Sequence, residues 1–268
     1  PGGPPPKLGS DPDALHDLAG WLTRNNPQFA CNMANRVWFH LLGRGIVDPV
    51  DDFRPTNPPS NPALLDALTA EFVAHGKRLK PLAALIMKSR TYGLGARPDP
   101  TNAEDEANFA RASVRLLPAE VLLDAASQAL DTPVGHKNAP RSARAVQLPG
   151  TQMGGEFLKV FGKPDRLLTC ECERSESTTL AQALQLINGP TIRRLLEASD
   201  NRIGRLLKAG TGDRAILTDL YLASLTREPT ALELSGALDY VARSADRRKA
   251  WEDAAWAILN TKEFLIRH

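Results

Sequence analysis

The chain has 268 residues, 42% hydrophobic and 24% charged, so a sizeable core is available and general disorder is excluded. The formal net charge is +2 and no long basic run occurs, which removes the electrostatic footprint of a nucleic-acid binder. No apolar run is long enough to span a bilayer.

Residues 1–10, PGGPPPKLGS, read as a linker or cut domain boundary, and 11–268 as a single helical domain that would subdivide near 131–155. The strongest local signal is proline at the first position of a helix, where its missing N–H costs nothing and its φ is already helical. It recurs at Pro12, Pro27, Pro62, Pro81, Pro118 and Pro190, each followed by apolar residues at helical spacing. Asp11, Asn26 and Asn61 are suited to N-caps, and Gly43 and Gly76 stand where C-caps belong. The stretch from Asn102 to Arg115 reads as a short solvated helix with one buried side. Residues Asp131 to Gly155 form the longest loop, with Ala145–Leu148 as a short extended segment inside it. Glu156–Phe161 reads as a short helix, and Ser177 or Thr178 caps another through Leu180, Leu184 and Leu186. The last third is helical throughout, and Thr230-x-x-Glu233 is a capping box. No alternating strand pair with a hairpin turn is visible. The expected class is all-α: an irregular multi-helix bundle with long connecting loops and little or no strand.

Two segments carry residues capable of chemistry. The first runs from Asn32 to Asp66. Its helix bears Asn35, Arg36, Trp38 and His40, and the acidic loop after it bears Asp48, Asp51, Asp52 and Arg54. In one reading Arg36 folds back on Asp52 and the fork-to-carboxylate pair pins loop to helix. In the other, Asn35, Arg36, His40, Asp51, Asp52 and Arg54 line a polar pocket for a sugar, an anion or a metal. His40 by itself reads as a helix-surface or core-edge residue.

The second segment is Cys170-Glu171-Cys172-Glu173-Arg174. Three readings stay open. Either cysteine packs as a small apolar residue while Arg174 pairs with an acid. The two thiols close a strained, easily reduced disulfide. Or both thiolates face a soft metal, zinc or copper, with Glu173 and a histidine such as His136 or His40 completing the set. Three cysteines in all, with Cys31, are too few for a disulfide scaffold. A Cys-x-x-Cys-His haem motif, a glycine-rich phosphate loop and a His-Glu-x-x-His pair are all absent from the sequence. Ser175, Ser177 and Thr178 read as caps rather than nucleophiles.

Several motifs in fixed order carry a resemblance: NRVWFHLLGRGIVDPVDDFR, NPPSNPALLDAL, SRTYGL, RLLPAEVLLDA, CECERSESTTLAQALQLING and WAILNTKEFLIRH. From about Asp11 to His268 the chain resembles the planctomycete-type C-terminal domain of unknown function. That domain accompanies a planctomycete cytochrome c domain in large exported proteins. The resemblance implies an extracytoplasmic setting and a haem carried on a neighbouring domain, with no cofactor in this chain beyond the zinc or copper just considered. It implies no established chemistry and assigns Cys31 no shared role. The leading expectation is an accessory or interaction module whose partners are neighbouring domains of the same polypeptide. The alternative is a hydrolase or oxidoreductase module acting on carbohydrate, its site joining the Asn35–Asp52 region to Cys170–Arg174.

Overall fold

The computed structural model describes residues 14–24, 26–105, 107–136, 139–140, 142–148, 155–163 and 189–267. They form an all-α architecture. Strand among them is limited to two two-residue segments, Arg115–Leu116 and Ile266–Arg267. The chain divides into two compact units, one reaching to Arg115 and the other spanning Leu116–Arg267. Each unit has its own hydrophobic cluster. The described residues between 131 and 155 lie in the second unit, where the helix before them shares one hydrophobic cluster with helices after them.

The first unit holds α1 (Ala14–Thr23), α2 (Pro27–Leu42), α3 (Pro62–Ala74) and α4 (Leu79–Met87). Asn26 caps α2 by accepting the N–H groups of Gln28 and Phe29, with Pro27 at the first position. Asn61 caps α3 on Leu64 in the same way, ahead of Pro62. Gly43 ends α2 in the left-handed region at φ 98° and returns its N–H to the Phe39 carbonyl at 2.7 Å. Ala30, Ala34 and Trp38 recur every four residues along α2 and bury against Leu65, Leu68 and Phe72 of α3 and Leu82 and Ile86 of α4. Small residues at Ala30 and Ala34 let the helices approach, and Trp38 fills the end of the seam.

The short helix expected over Asn102–Arg115 does not form among the described residues, which are a turn, bends and irregular chain leading into the strand at Arg115. Side chains outcompete the helix. Asp105 accepts backbone N–H groups from Ala107, Asn108 and Ala110 at 2.9–3.1 Å, and these bonds hold its carboxyl below the usual carboxylate range. Phe109 then packs edge-on against Trp38, with ring centroids 5.2 Å apart.

The second unit holds α5 (Ala119–Ala129), α6 (Gly155–Val160), α7 (Pro190–Glu197), α8 (Arg202–Lys208), α9 (Asp213–Leu225), α10 (Ala231–Arg243), α11 (Arg247–Leu259) and α12 (Lys262–Leu265). Pro118 is the residue before α5 and not its first, whereas Pro190 does open α7. Both legs of the capping box on α10 are present: Thr230 Oγ accepts from Glu233 N–H at 3.3 Å, and Glu233 accepts from Thr230 N–H at 2.7 Å. Leu122, Leu123, Phe157, Leu158, Ile203, Ile216 and Trp251 are fully buried in one cluster. Ala145–Gln147 is a single turn of 3-10 helix where an extended segment was expected. The helix expected after Ser177 or Thr178 lies outside the described residues. Among the described residues no helix is long and apolar enough to cross a membrane.

Candidate functional site

Asn35 is the centre of the first polar region. It is fully buried on α2. Its amide nitrogen donates to the carbonyls of Val47 (2.9 Å) and Val50 (3.0 Å), and its amide oxygen accepts the Val47 N–H at 3.0 Å. The side chain thus replaces a missing strand partner for the 47–50 loop, whose valines are themselves buried. Gly45 makes the approach possible. A Cβ there would stand 2.0 Å from the Val47 carbonyl oxygen and 3.0 Å from the Asn35 amide nitrogen.

Arg36, the next residue, points to the half-exposed side. It forms a bidentate pair with Asp51, at 2.7 and 2.8 Å, and its Nε donates to Asn32 at 3.2 Å. The expected Arg36–Asp52 pair is therefore corrected to Arg36–Asp51. A turn closed by Asp52 N–H on the Pro49 carbonyl (2.9 Å) directs Asp51 to the helix and sends Asp52 to Arg54. Asp52 and Arg54 pair at 2.6 Å through two bonds, which lower the Asp52 pKa and raise that of Arg54. His40 lies exposed on α2 one turn beyond Arg36. Asn35, Arg36, Asp51, Asp52 and Arg54 thus lie close in the fold, and each is bonded to another of them or to the backbone. Burial pushes the Cys31 thiol up, against a hydrogen bond with Thr69 that works the other way. Cys170, Cys172, Glu173 and Arg174 lie outside the described residues. Among the described residues, no three His, Cys, Asp or Glu side chains are grouped to hold a metal ion.

A second polar cluster, in the Leu116–Arg267 unit, was not singled out from the sequence apart from His136. Asp124 is buried on α5 and accepts the N–H groups of Ala145 (2.7 Å) and Val146 (3.3 Å). Lys163 is buried as well and donates to the carbonyls of Ala145 (3.3 Å) and Leu148 (2.8 Å). The 3-10 turn is held at its N–H end by a carboxylate and at its carbonyl end by an ammonium. Arg144 adds a looser contact to Asp124 at 3.4 Å. His136, 8% exposed, lies among them. Burial lowers its pKa, the Asp124 carboxylate opposes that shift, and the Lys163 ammonium adds to it. Asp124, His136 and Arg144 border a cleft of about 290 Å³ that also includes Gln128, Asp131 and Ser142. The available sequence signal was an aspartate on the apolar face of α5, between Leu123 and Ala126, followed by a long loop. Neither says where the other would land.

A second concavity, of about 540 Å³, lies between α9, α10 and α11. Leu217, Tyr221, Ala237, Tyr240, Trp256 and Ile258 make it apolar. The Tyr240 hydroxyl donates to Asp253 at 2.8 Å.

The described residues thus define the class at the level of the fold: an all-α domain. Residues 16–241 match the family described as PSD1, protein of unknown function (DUF1553), and the chain belongs to that family. It is the planctomycete-type domain that the motif order resembled. No curated protein and no solved structure gives a significant match.

Proposed function

We propose that this chain is an accessory, interaction-type helical module of a large extracytoplasmic protein, docking on neighbouring domains of its own polypeptide, one of which carries haem. The observation that carries the reading is the state of the first polar region. Asn35, Arg36, Asp51, Asp52 and Arg54 are bonded among themselves or to the 47–50 backbone. Groups held that way brace a surface and do not turn toward a substrate. The groove between α9, α10 and α11 supplies the complementary feature, an apolar concavity rimmed by a tyrosine hydroxyl. The carbohydrate-directed enzyme reading finds less support, because it needs the Asn35–Asp52 groups to face outward.

Calorimetric titration of this chain with the separately purified neighbouring domains tests the proposal. Saturable association is expected, weakened by at least about tenfold in Tyr240→Ser, the loss of one central aromatic anchor. Failure of every neighbouring domain to associate, or turnover of a polysaccharide by this chain alone, overturns it.

A further inference from the structure

The cleft that α5 forms with Thr132–His136 and Ser142–Arg144 supports a separate inference, independent of the docking reading. We propose that it is a binding site for one ring or short segment of a neutral, hydroxyl-rich ligand, a sugar or polyol, held by His136, Arg144 and Asp124. Three observations lead there.

The first is His136 itself. The residue is 8% exposed and borders the cleft; its ring makes no hydrogen bond among the described residues, and neither ring nitrogen is sealed away from solvent. A ring uncommitted within the chain and open to the cleft is available to a partner that enters from outside. Its neutral form offers one N–H and one lone pair, which matches a hydroxyl that can accept or donate.

The second is Arg144. Its Nε makes the long 3.4 Å contact with Asp124, and the side chain remains 62% exposed. Asp124 keeps acceptor capacity as well. A carboxylate offers about four lone-pair positions, and the bonds to Ala145, Val146 and Arg144 use three of them. A donor fork and an acceptor carboxylate side by side form the pattern that adjacent hydroxyls satisfy, since each hydroxyl both gives and takes a hydrogen bond.

The third is charge. Asp124 is offset by Arg144, and Asp131 at the rim is paired with Arg205. The charged groups that line the cleft are thus each paired within the chain, and the nearby Lys163, which does not line it, gives its ammonium to the Ala145 and Leu148 carbonyls. Gln128 and Ser142, both exposed on the rim, add neutral groups that donate and accept. At about 290 Å³ the cleft lies at the small end of ligand sites, which favours a single ring or chain end over a long polymer.

The test is carbon–proton NMR of the His136 ring in the whole chain, titrated in separate arms with glucose, galactose, mannose, sorbitol and, as the charged control, acetate. A short oligosaccharide of whichever sugar binds distinguishes a chain end from a free ring. Saturable movement of the His136 signal is expected with at least one neutral probe, together with a downward shift of its titration midpoint. Enclosing a neutral imidazole with neutral hydroxyls disfavours the charged ring, whereas an anion would shift the midpoint upward. Arg144→Gln, at an exposed side chain, should keep the circular dichroism and melting temperature and weaken binding by about tenfold or more, the size of one charge-assisted hydrogen bond. Ser142→Ala provides a second folded variant, expected to weaken binding severalfold. The proposal is overturned by no saturable movement with any neutral probe, by movement with acetate alone, or by unchanged affinity in both variants.

Discussion

Asn35 and Asn201 solve the same problem at single-residue scale, one in each unit. Both are fully buried. Asn35 donates to two carbonyls and accepts one N–H in the 47–50 loop. Asn201 donates to the carbonyls of Leu195 and Leu196 and accepts from Gly204 N–H and Arg248. A buried amide can supply both halves of a missing backbone pairing, which no apolar side chain does. Asn35→Leu leaves buried backbone groups of Val47 and Val50 without partners, and should cost about 3 kcal/mol in urea unfolding. Arg36→Ala, at a half-exposed pair, should cost only about 0.5–1 kcal/mol. Measuring both by the same method separates a clamp from a brace. His136 makes a pH prediction at the same scale. Burial lowers its folded pKa, while the unfolded ring titrates near 6.5. Between those two values the unfolded chain binds more protons, so stability falls as pH falls through that window and is fully present above it. The melting temperature should drop on acidification from about pH 7.5 to about pH 5.5, and His136→Gln should flatten that slope.

At the scale of elements, close approaches and caps decide where helices end. Gly45 and Gly204 each sit where a Cβ would meet a backbone carbonyl oxygen, at 2.0 Å from Val47 and 2.2 Å from Ser199. Neither oxygen belongs to a flexible side chain, so relief requires the loop itself to move. Gly45→Ala should therefore destabilise by about 2 kcal/mol or more, and Gly76→Ala, with open space around its Cβ but φ at 66°, by about 1 kcal/mol from backbone strain alone. Thermal unfolding of the two variants side by side checks the order. The capping signals were legible because they are local. Asn26, Asn61 and the Thr230–Glu233 box act on N–H groups two or three residues away. The failed helix over Asn102–Arg115 was also local in cause. Its acidic residues suit the first turn of a helix, but Asp105 captured three N–H groups before a helix could use them.

At the scale of the whole chain, the described residues form two interiors where leucine periodicity suggests one. Phe72 is buried in the first cluster and Phe157 in the second. Truncating either to alanine should cost about 3–5 kcal/mol. Hydrogen exchange should place the lost protection in the unit that carries the substitution, with amides of the other unit little changed. A uniform loss across both units after Phe72→Ala would show that they unfold as one.

The sequence by itself determined the helical class, the starts of α2, α3 and α7 and the caps at Asn26, Asn61 and Thr230, because those depend on residues within one turn of each other. Pro81, by contrast, proved to be the third residue of its helix and not the first. It also carried the family, through motifs that keep their order along the chain. Tertiary structure alone decided that Arg36 takes Asp51 and not Asp52, that apolar stripes sort into two cores, and that Asp124, His136, Arg144 and Lys163 converge. The bonds that make that last cluster join residues 21, 22, 18 and 15 positions apart. Such pairings depend on how the loop returns to the helix, and no local preference of the residues involved encodes that path.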